Sequence, residues 1–282
     1  MLLWQRRKHL DNLAPPVELE GTMPELPEVE SLSLALKEVL GSGRKILRTL
    51  VFDSKLGSLD RLAGDTLYRP ERIGKGLYFP LAGGDFLQVH LRMTGRLLHH
   101  SLSREFLRYE RLRLEFEEGV LSLLDPRRFA TVMVVETIPQ RRALDIVKDQ
   151  VTAEELWERG LRKGTTIKSF LLDQSILAGI GNIYASEILH RAGIDPRRAV
   201  SSLSLTEWKA ILNSASAILG LAISCRGTTI SDWRDLFGRP GGYQRYLKVY
   251  GREGKPCFRC GQLLKRLKIG GRSTYFCQVC QK

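Results

Sequence analysis

The chain has 282 residues, 43% of them hydrophobic, and Lys and Arg outnumber Asp and Glu by 44 to 31, which gives a formal net charge of +13. This composition is typical of a globular protein of about two domains, and it excludes a small fold that depends on disulfides. The positive charge predicts a polyanionic partner, with nucleic acid as the leading candidate. No segment approaches the roughly 18 apolar residues that span a bilayer, so we expect no membrane partner and a cytoplasmic protein.

Residues 1–22 precede a second possible start at Met23. This leading segment contains Arg6, Arg7 and Lys8 but no apolar stretch or small-residue cleavage site, so it does not resemble a secretory signal. A purine-rich ribosome-binding sequence can encode the residues from Leu19 to Thr22. We therefore expect translation to start at Met23 in a bacterial gene, with residues 1–22 a misassigned extension.

The segment after this start reads Met23-Pro24-Glu25-Leu26-Pro27-Glu28-Val29-Glu30. If Met23 is trimmed, Pro24 becomes a free secondary amine directly followed by the carboxyl group of Glu25. An α-amino group has a reference pKa of about 7.7 to 8.0, so a useful fraction is unprotonated and nucleophilic at neutral pH. The same residues also suit a helix start, with Pro27 in the first turn and 31–40 as the helix body.

Short β-rich runs separated by glycines and charged turns follow between Leu47 and Val135. They predict a sandwich or barrel. The third run alternates charged and apolar residues strictly, which predicts a strand with one face in water. The runs are Leu77–Phe79, Phe86–Leu91, Arg111–Phe116 and Thr131–Val135.

Three side chains at turns of this β-rich region suit contact with disrupted DNA. An enzyme that works on a base must remove it from the stack, and another group must fill the gap. Met93 is flexible, Arg127 is flat and Phe129 is aromatic, so all three are suitable wedges. Individually they also suit a core filler, a surface charge and a strand-face hydrophobe.

Helical periodicity replaces the β pattern from about Ala153, and the charged stretch Thr137 to Thr152 is the predicted hinge. In the segment from Asp173 to Leu189, Gly179 and Gly181 allow a tight turn and Asn182 starts the next helix. Exposed amides at such a helix start suit an anion such as a DNA phosphate. An ordinary helix hairpin is the alternative.

A glycine-rich loop from Arg226 to Gly254 follows the helices. It suits either a cap that closes over a flipped base or a simple connector to the C-terminal segment. The sequence does not choose between them.

The four C-terminal cysteines have the spacing Cys257-x2-Cys260-x16-Cys277-x2-Cys280. Two knuckles with a hairpin between them predict one tetrahedral zinc ion, and a closed four-thiolate site makes that ion structural. From Gly254 to Lys282 there is no acidic residue, which suits a phosphate backbone. The bases there are Lys255, Arg259, Lys265, Arg266, Lys268, Arg272 and Lys282.

Taken in chain order from Met23 to Lys282, these motifs resemble the formamidopyrimidine-DNA glycosylases. The resemblance implies an α+β multidomain fold, with an N-terminal β-sandwich with flanking helices and a C-terminal helix-two-turn-helix domain with a zinc-finger β-hairpin. The implied segments are the extension 1–22, a catalytic domain 23–137, a hinge 138–152, a helix-two-turn-helix domain 153–252 and a zinc finger 253–282.

The resemblance also implies the activity and its residues. The expected enzyme is a base-excision-repair glycosylase that removes 8-oxoguanine and formamidopyrimidines, with an AP lyase step of β,δ-elimination through an N-terminal proline Schiff base. It would act as a monomer on damaged double-stranded DNA. The implied catalytic residues are Pro24, Glu25 and Lys75. The implied DNA contacts are His90, Met93, Arg127, Phe129, Asn182 and Arg272.

Three departures from the family pattern leave alternatives open. Arg92 and Ala130 stand where glycine is usual, which affects how the opposite base is read, and the hinge from Asp145 to Thr152 is unusual. A relative of the endonuclease VIII type would take oxidised pyrimidines. If residues 1–22 are retained, Pro24 is an amide, and the protein would bind lesions without cutting them. An unrelated zinc-ribbon protein would bind DNA without preferring lesions.

Overall fold

The computed structural model describes residues 23–102, 105–140 and 143–282, so the predicted extension 1–22 lies outside the described residues. The helices are α1 Leu26–Leu40, α2 Ala153–Leu161, α3 Ile167–Leu172, α4 Asn182–Ala192 and α5 Leu205–Ser224. The strands are β1 Arg44–Lys45, β2 Arg48–Val51, β3 Thr66–Leu67, β4 Glu71–Ile73, β5 Gly76–Pro80, β6 Phe86–His90, β7 Arg96–His100, β8 Glu110–Phe116, β9 Gly119–Leu124, β10 Thr131–Val135, β11 Lys265–Ile269 and β12 Arg272–Phe276. Within these ranges no helix has the length and apolar character needed to cross a membrane.

Two four-stranded antiparallel sheets form the N-terminal part of the molecule. One has the order β10-β6-β5-β4 and the other β2-β8-β9-β7. Leu77 and Phe79 on β5 share a buried core with Leu114 on β8 and Leu121 on β9. The sheets therefore pack face to face, and the expected sandwich within an α+β fold is confirmed.

The third predicted strand is present as β8, but its expected wet face is wrong. All seven residues of β8 are buried. Arg111 pairs with Asp53 at 2.5 Å and with Asp125 at 3.3 Å, while Arg113 pairs with Glu110 at 2.8 Å. Charged residues at alternate positions here are inside because each has an ionic partner, a pairing that period-two patterning cannot reveal.

Helix α1 belongs to both cores of the protein. Leu32 and Leu36 pack within the sandwich, whereas Leu26 at its first position packs with the C-terminal helices. The backbone N–H of Leu26 donates to the carbonyl of Gly179 at 2.9 Å. The start of α1 therefore lies at the junction between the β-rich and helical parts.

The C-terminal helices and the β11-β12 hairpin share the second core. Phe170 on α3 stacks edge-on against Trp208 on α5, with ring centroids 5.3 Å apart. Cys277 and Tyr275 from the hairpin pack into the same cluster. The hairpin is thus part of the helical core and not a separate appendage.

The glycine-rich loop is anchored at its centre. Trp233 and Leu236 are buried in the sandwich core, and the Trp233 indole N–H donates to the carbonyl of Arg226 at 2.9 Å. The backbone N–H of His99 on β7 donates to the carbonyl of Leu236 at 2.8 Å. The loop therefore connects the helices to the sandwich as well as to the C-terminal hairpin.

A cluster of buried charged residues connects the predicted hinge to the sandwich and to α1. Arg72 on β4 is fully buried and lies 2.7 Å from Asp145, which is also fully buried. Its Nε donates to Glu30 on α1, and Lys148 Nζ donates to the Arg72 carbonyl at 2.6 Å. The unusual hinge residues thus tie the segment before α2 to the sandwich and α1.

We predict that Asp145→Asn lowers the free energy of unfolding by about 3 kcal/mol, because it leaves the buried Arg72 charge with one carboxylate partner fewer. Urea titration monitored by tryptophan fluorescence measures this change. The matched control is Glu118→Gln, which removes an exposed ion pair to Arg44 and should cost less than about 1 kcal/mol. Equal losses of unfolding free energy in the two variants would contradict a stabilising role for the Arg72–Asp145 pair.

Candidate active site and metal centre

The carboxyl group of Glu25 is buried at the N-terminus of helix α4. Glu25 is 4% exposed, and it accepts hydrogen bonds from the backbone N–H groups of Ile183 at 2.9 Å and Tyr184 at 3.3 Å. From the sequence we expected the amides at this helix start to face a DNA phosphate, whereas in the structure two of them bind a side chain of the protein itself. The free amides at this helix start have a partial positive charge, which attracts the carboxylate.

Gly181 makes this approach possible. A Cβ atom built on Gly181 would lie 2.2 Å from Cδ of Glu25 and 2.5 Å from its Oε1. Any other residue at position 181 would therefore displace the carboxyl group. The glycine that the sequence assigned to a tight turn also provides the space for Glu25.

The position of Glu25 changes its acidity. Burial raises the pKa of its carboxyl group above the usual value, and the positive charge of Lys75 and the α4 amides oppose that rise in part. A carboxyl group in such a place is protonated more readily than one in water. It is therefore better suited to giving a proton to a substrate than an exposed carboxyl group is.

A second buried carboxylate, that of Glu28, lies one turn along α1. It accepts from the Tyr184 hydroxyl and the Thr228 backbone N–H, both at 2.6 Å, and from the Glu25 backbone N–H at 2.9 Å. Burial, and then the negative charge of Glu25, raises the pKa of Glu28 to about 7. Glu28 thus joins α1, α4 and the glycine-rich loop.

Sequence reasoning did not single out three residues of this junction. They are Tyr184 and Thr228, which bind Glu28, and the fully buried Lys168 on α3. Lys168 Nζ donates to the Ser186 hydroxyl at 2.8 Å and approaches the Ser273 carbonyl at 3.4 Å. A lysine in an otherwise apolar stretch of a short helix was the available signal.

A cavity of about 570 Å³ opens beside the start of α1. Its lining includes Met23, Lys75, His90 and Arg272. The nitrogen of Pro24 is bonded to Met23, so it lies at the edge of this cavity, and Pro24 itself is buried. The structure therefore brings the nitrogen of Pro24 close to Lys75, His90 and Arg272, which are distant in sequence and which the family resemblance implied as catalytic or DNA-contact residues.

Two of the cations that line the cavity lie at tight turns between strands. Lys75 occupies the two-residue turn between β4 and β5, and Arg272 follows Gly270 and Gly271 in the turn between β11 and β12. Both glycines have positive φ values, 56° and 75°, as a type I′ hairpin turn requires. Burial lowers the pKa of Lys75, while the charge of Glu25 acts to raise it.

His90 enters the cavity as a neutral hydrogen-bond donor. Burial lowers its pKa to about 4, and the charges of Arg92 and Lys75 act in the same direction. The backbone N–H of Arg92 donates to His90 Nδ1 at 3.0 Å, so the ring proton of the neutral form is on Nε2. That N–H is available to an oxygen atom of a ligand.

Asn182 is the first residue of α4, directly after Gly181. It is half-buried, and within the described residues its buried Oδ1 has no hydrogen-bond partner. Its position at the helix start agrees with the sequence expectation. The C-cap of the helix is Gly193, whose φ of 77° is left-handed.

The three wedge candidates lie on two turns that Asp125 holds together. Asp125 is 1% exposed and accepts from the Thr94 hydroxyl at 2.5 Å and from the Phe129 backbone N–H at 2.7 Å. Thr94 follows Met93, so one carboxylate fixes both turns. The Arg127 guanidinium lies 4.7 Å from the Phe129 ring centroid, and both side chains are exposed.

The four predicted cysteine ligands converge at one point. Their sulfur atoms all lie within 4.8 Å of one another, with Cys257 and Cys280 at 4.0 Å and Cys260 and Cys277 at 3.5 Å. Zinc–thiolate bonds of about 2.3 Å in a tetrahedron imply sulfur separations of roughly 3.8 Å, so the cluster fits one zinc ion. Four protein thiolates leave no position for water, and the ion is structural.

The zinc knuckle is tied to helix α4. The Arg259 guanidinium donates to the carbonyls of His190 at 2.9 Å and Arg191 at 2.8 Å, which are in the last turn of α4. His190 Nε2 lies 3.6 Å from Cys257 Sγ. The metal site thus supports the helix whose other end holds Glu25 and Asn182.

Three family models match the chain in succession. The formamidopyrimidine-DNA glycosylase N-terminal domain matches residues 23–132, the H2TH domain of the same enzyme matches residues 143–233, and a zinc finger found in FPG and IleRS matches residues 254–282. These matches correspond to the sandwich, the helical part and the cysteine hairpin.

Curated relatives extend over nearly the whole chain. The formamidopyrimidine-DNA glycosylase of Desulfitobacterium hafniense is 36% identical over 274 residues, which cover 92% of this chain and 100% of the relative. That of Pelotomaculum thermopropionicum is 37% identical, with 92% and 99% covered.

Solved structures have the same fold. The Lactococcus lactis Fpg in complex with DNA containing an abasic site has a TM-score of 0.84 at 30% identity and covers 92% of this chain and 99% of its own. The same protein with DNA containing Fapy-dG has a TM-score of 0.83, with 92% and 100% covered. With matches to all three family models and to relatives over their whole length, the chain belongs to the formamidopyrimidine-DNA glycosylase family.

Proposed function

We propose that this protein is a DNA glycosylase that removes oxidised purines, 8-oxoguanine and formamidopyrimidines, from double-stranded DNA and then cleaves the strand as an AP lyase. The observation that carries the proposal is the burial of Glu25 at the start of α4, next to a cation-lined cavity that contains the N-terminal side of Pro24. Family membership over the whole matched length supports the same activity. The protein would act as a cytoplasmic monomer that associates with the nucleoid through DNA.

In the proposed first step the flipped nucleotide presents C1′ to the free amine of Pro24. The nitrogen lone pair forms a bond to C1′, and the base leaves with the electrons of the glycosidic bond. The departing base takes the proton that the Pro24 amine loses. Glu25 supplies its proton to the sugar ring oxygen as the C1′–O4′ bond breaks, which opens the ring and leaves an iminium ion between Pro24 and C1′. The raised pKa of Glu25 supports this role, because a carboxylic acid that is still protonated is available as the donor.

The lyase step follows from the iminium ion between Pro24 and C1′. Its positive charge acidifies the C2′ proton, and loss of that proton expels the 3′ phosphate. A second elimination releases the 5′ phosphate and leaves a one-nucleotide gap. Lys75, whose pKa is lowered by burial, would lie close to the negative charges that develop on the two phosphates as they leave.

The remaining assignments concern DNA binding. Lys75, His90, Asn182 and Arg272 would hold phosphates around the lesion, since three of them line the cavity and the fourth starts α4. Met93, Arg127 and Phe129 would fill the space left by the flipped nucleotide. Their shared anchor at Asp125 supports action as one unit.

We predict that Glu25→Gln lowers the rate of base release by about 10²-fold or more, as expected for the loss of a general acid. The glutamine oxygen can accept the Ile183 N–H, but the glutamine NH2 group cannot accept the Tyr184 N–H. We therefore expect a small loss of stability with the fold and duplex affinity retained. Single-turnover release of 8-oxoguanine from a duplex is the measurement, with melting temperature and duplex affinity measured in parallel. Glu38→Gln, an exposed change on the same helix, is the control. A release rate within about threefold of the wild type would exclude Glu25 as the acid.

A separate prediction concerns Arg92. This exposed residue lines the cavity and has a φ of 55°, a left-handed conformation that costs about 1 to 2 kcal/mol in a non-glycine residue. Arg92→Gly should therefore raise the melting temperature. It should also weaken duplex binding and reduce the slope of log affinity against log salt by about 1, the effect of losing one phosphate contact.

The control for Arg92 is Tyr109→Gly. Tyr109 is also exposed and has a φ of 66°, but it has no charge. The Tyr109→Gly variant should have a higher melting temperature than the wild type, with no change in the slope of log affinity against log salt. An unchanged slope for Arg92→Gly would show that this residue makes no phosphate contact.

A further inference from the structure

A second cavity, of about 360 Å³, lies at the C-terminal end of α4. No residue lines both this cavity and the one beside Pro24. Helix α4 has 11 residues, so the two ends are roughly 16 Å apart at 1.5 Å per residue. The second cavity is therefore a separate site, and we call it the α4 C-terminal cavity.

Large apolar side chains from three elements surround this cavity. Leu221 comes from α5, Tyr246 from the glycine-rich loop and Phe258 from the zinc knuckle, and all three line it. They are 42%, 45% and 66% exposed. Exposed apolar groups that converge on a concave surface are typical of binding sites.

The rim of the cavity is positively charged. Arg191, Lys248 and Arg259 contribute cations to its lining, and among the described residues none of them is in an ion pair with a carboxylate. The lining acid, Glu187, is 2% exposed. Its oxygens accept the backbone N–H groups of residues 248, 249 and 250, each at 2.9 Å. The charge presented to a ligand is therefore positive.

Phe258 is held in place as part of this surface. The Arg252 guanidinium lies 3.7 Å from its ring centroid and the Lys248 ammonium lies 4.9 Å from it. These cation–π contacts orient an exposed ring that would otherwise be mobile. Arg252 covers one face of the Phe258 ring closely, so a nucleic acid base cannot stack on that face. Stacking of bases on aromatic rings is the usual mode of single-strand binding.

We propose that the α4 C-terminal cavity binds a short acidic segment of a partner protein, with one aromatic or large aliphatic side chain inserted into the cavity and carboxylates against its cationic rim. The apolar lining selects the side chain and the unpaired cations select the acidic flanks. The site is at the far end of α4 from the proposed DNA contacts. A partner could thus be bound while the cleft holds DNA, and the proposal does not depend on the proposed function.

The probe is a short fluorescein-labelled peptide with a central tryptophan between runs of glutamate. We expect saturable binding by anisotropy, with affinity about tenfold weaker when alanine replaces the tryptophan. Lys248→Glu and Phe258→Ser should each weaken binding by about tenfold, while Lys163→Glu, a change at an exposed lysine outside the cavity, should leave it unchanged. Zinc content and base release must match the wild type in every variant.

Three outcomes would overturn the proposal. Equal affinity for the tryptophan and alanine peptides would mean simple charge attraction. Displacement of the peptide by an undamaged duplex would place it in the DNA cleft. Tighter binding of a single-stranded oligonucleotide than of the peptide, lost in Lys248→Glu, would make this a nucleic acid site. Peptide binding that persists with saturating duplex and is lost in both cavity variants would support it.

Discussion

A chain that begins at Pro24 will form a covalent adduct with 8-oxoguanine duplex DNA under borohydride, and a chain that retains residues 1–22 will form none. The reason is the chemistry of the nitrogen. A free proline amine has a lone pair and a pKa of about 8, so it attacks C1′ and gives an iminium that borohydride reduces. In the longer chain the same nitrogen is a tertiary amide, which has no nucleophilic lone pair. We expect base release to differ by at least about 10³-fold, the scale of removing an activated nucleophile.

Met23 adds a steric reason to the electronic one. It lines the cavity with Lys75 and Arg272, so it occupies space that the sugar would need. Both chains retain the cavity cations, so duplex affinity is the internal control and should differ far less than the rate. Mass and N-terminal sequence of the protein from its own cell identify the form that exists there. An adduct with the longer chain would assign the nucleophile elsewhere, and native protein that begins at Met1 would favour a lesion-binding role without cleavage.

Removal of the zinc ligand Cys260 will unfold the C-terminal hairpin and abolish duplex binding. A two-stranded hairpin is at best marginally stable by itself, and the residues that pack it on the helical core include the zinc ligands Cys257 and Cys277. Zinc binding contributes about 10 to 16 kcal/mol to the folding of such modules, so we expect that packing to depend on the metal. Cys260 is exposed, so Cys260→Ala removes a metal ligand without opening a hole in the core. Loss of the hairpin would remove Arg272 from the cavity and Arg259 from the end of α4.

Cys225→Ala is the matched control for the zinc prediction, because Cys225 is a free cysteine outside the cluster. Zinc released to a chromophoric chelator, limited proteolysis of the C-terminus and duplex affinity are the measurements. We expect about one zinc per chain in the control and none in Cys260→Ala, with duplex affinity lower by at least about 10²-fold. Retained affinity in a zinc-free variant would mean that the hairpin is not part of the DNA surface.

Much of the local structure could be read from residue patterns. The β-rich runs Phe86–Leu91 and Thr131–Val135 correspond to β6 and β10, and the periodicity after Ala153 corresponds to α2, α3 and α5. These features are local, because strand and helix periods depend on neighbouring residues. The cysteine spacing predicted the zinc ligands for a similar reason, because the tetrahedral geometry of zinc limits how two Cys-x2-Cys knuckles can be arranged.

Charge patterns were less informative about burial. Arg111 and Arg113 on β8 are buried against acids that lie up to 58 positions away in the chain. Their pattern is that of an exposed strand face, but both are buried because each pairs with carboxylates on, or just after, strands of its own sheet. In the same way, nothing in the residues around Asp145 indicates that it meets Arg72.

Residue type and short spacing predicted several strands and helices, the zinc ligands and the possible chemistry of a free Pro24 amine beside the Glu25 carboxyl group. The position of that chemistry in the molecule depends on the fold. The fold inserts Glu25 between α1 and α4 against Gly181, raises its pKa by burial, and brings Lys75, His90 and Arg272 to one cavity from one turn and the ends of two strands. The physical reason is that burial and field at a site depend on every group packed around it, and those groups are adjacent only after the chain has folded.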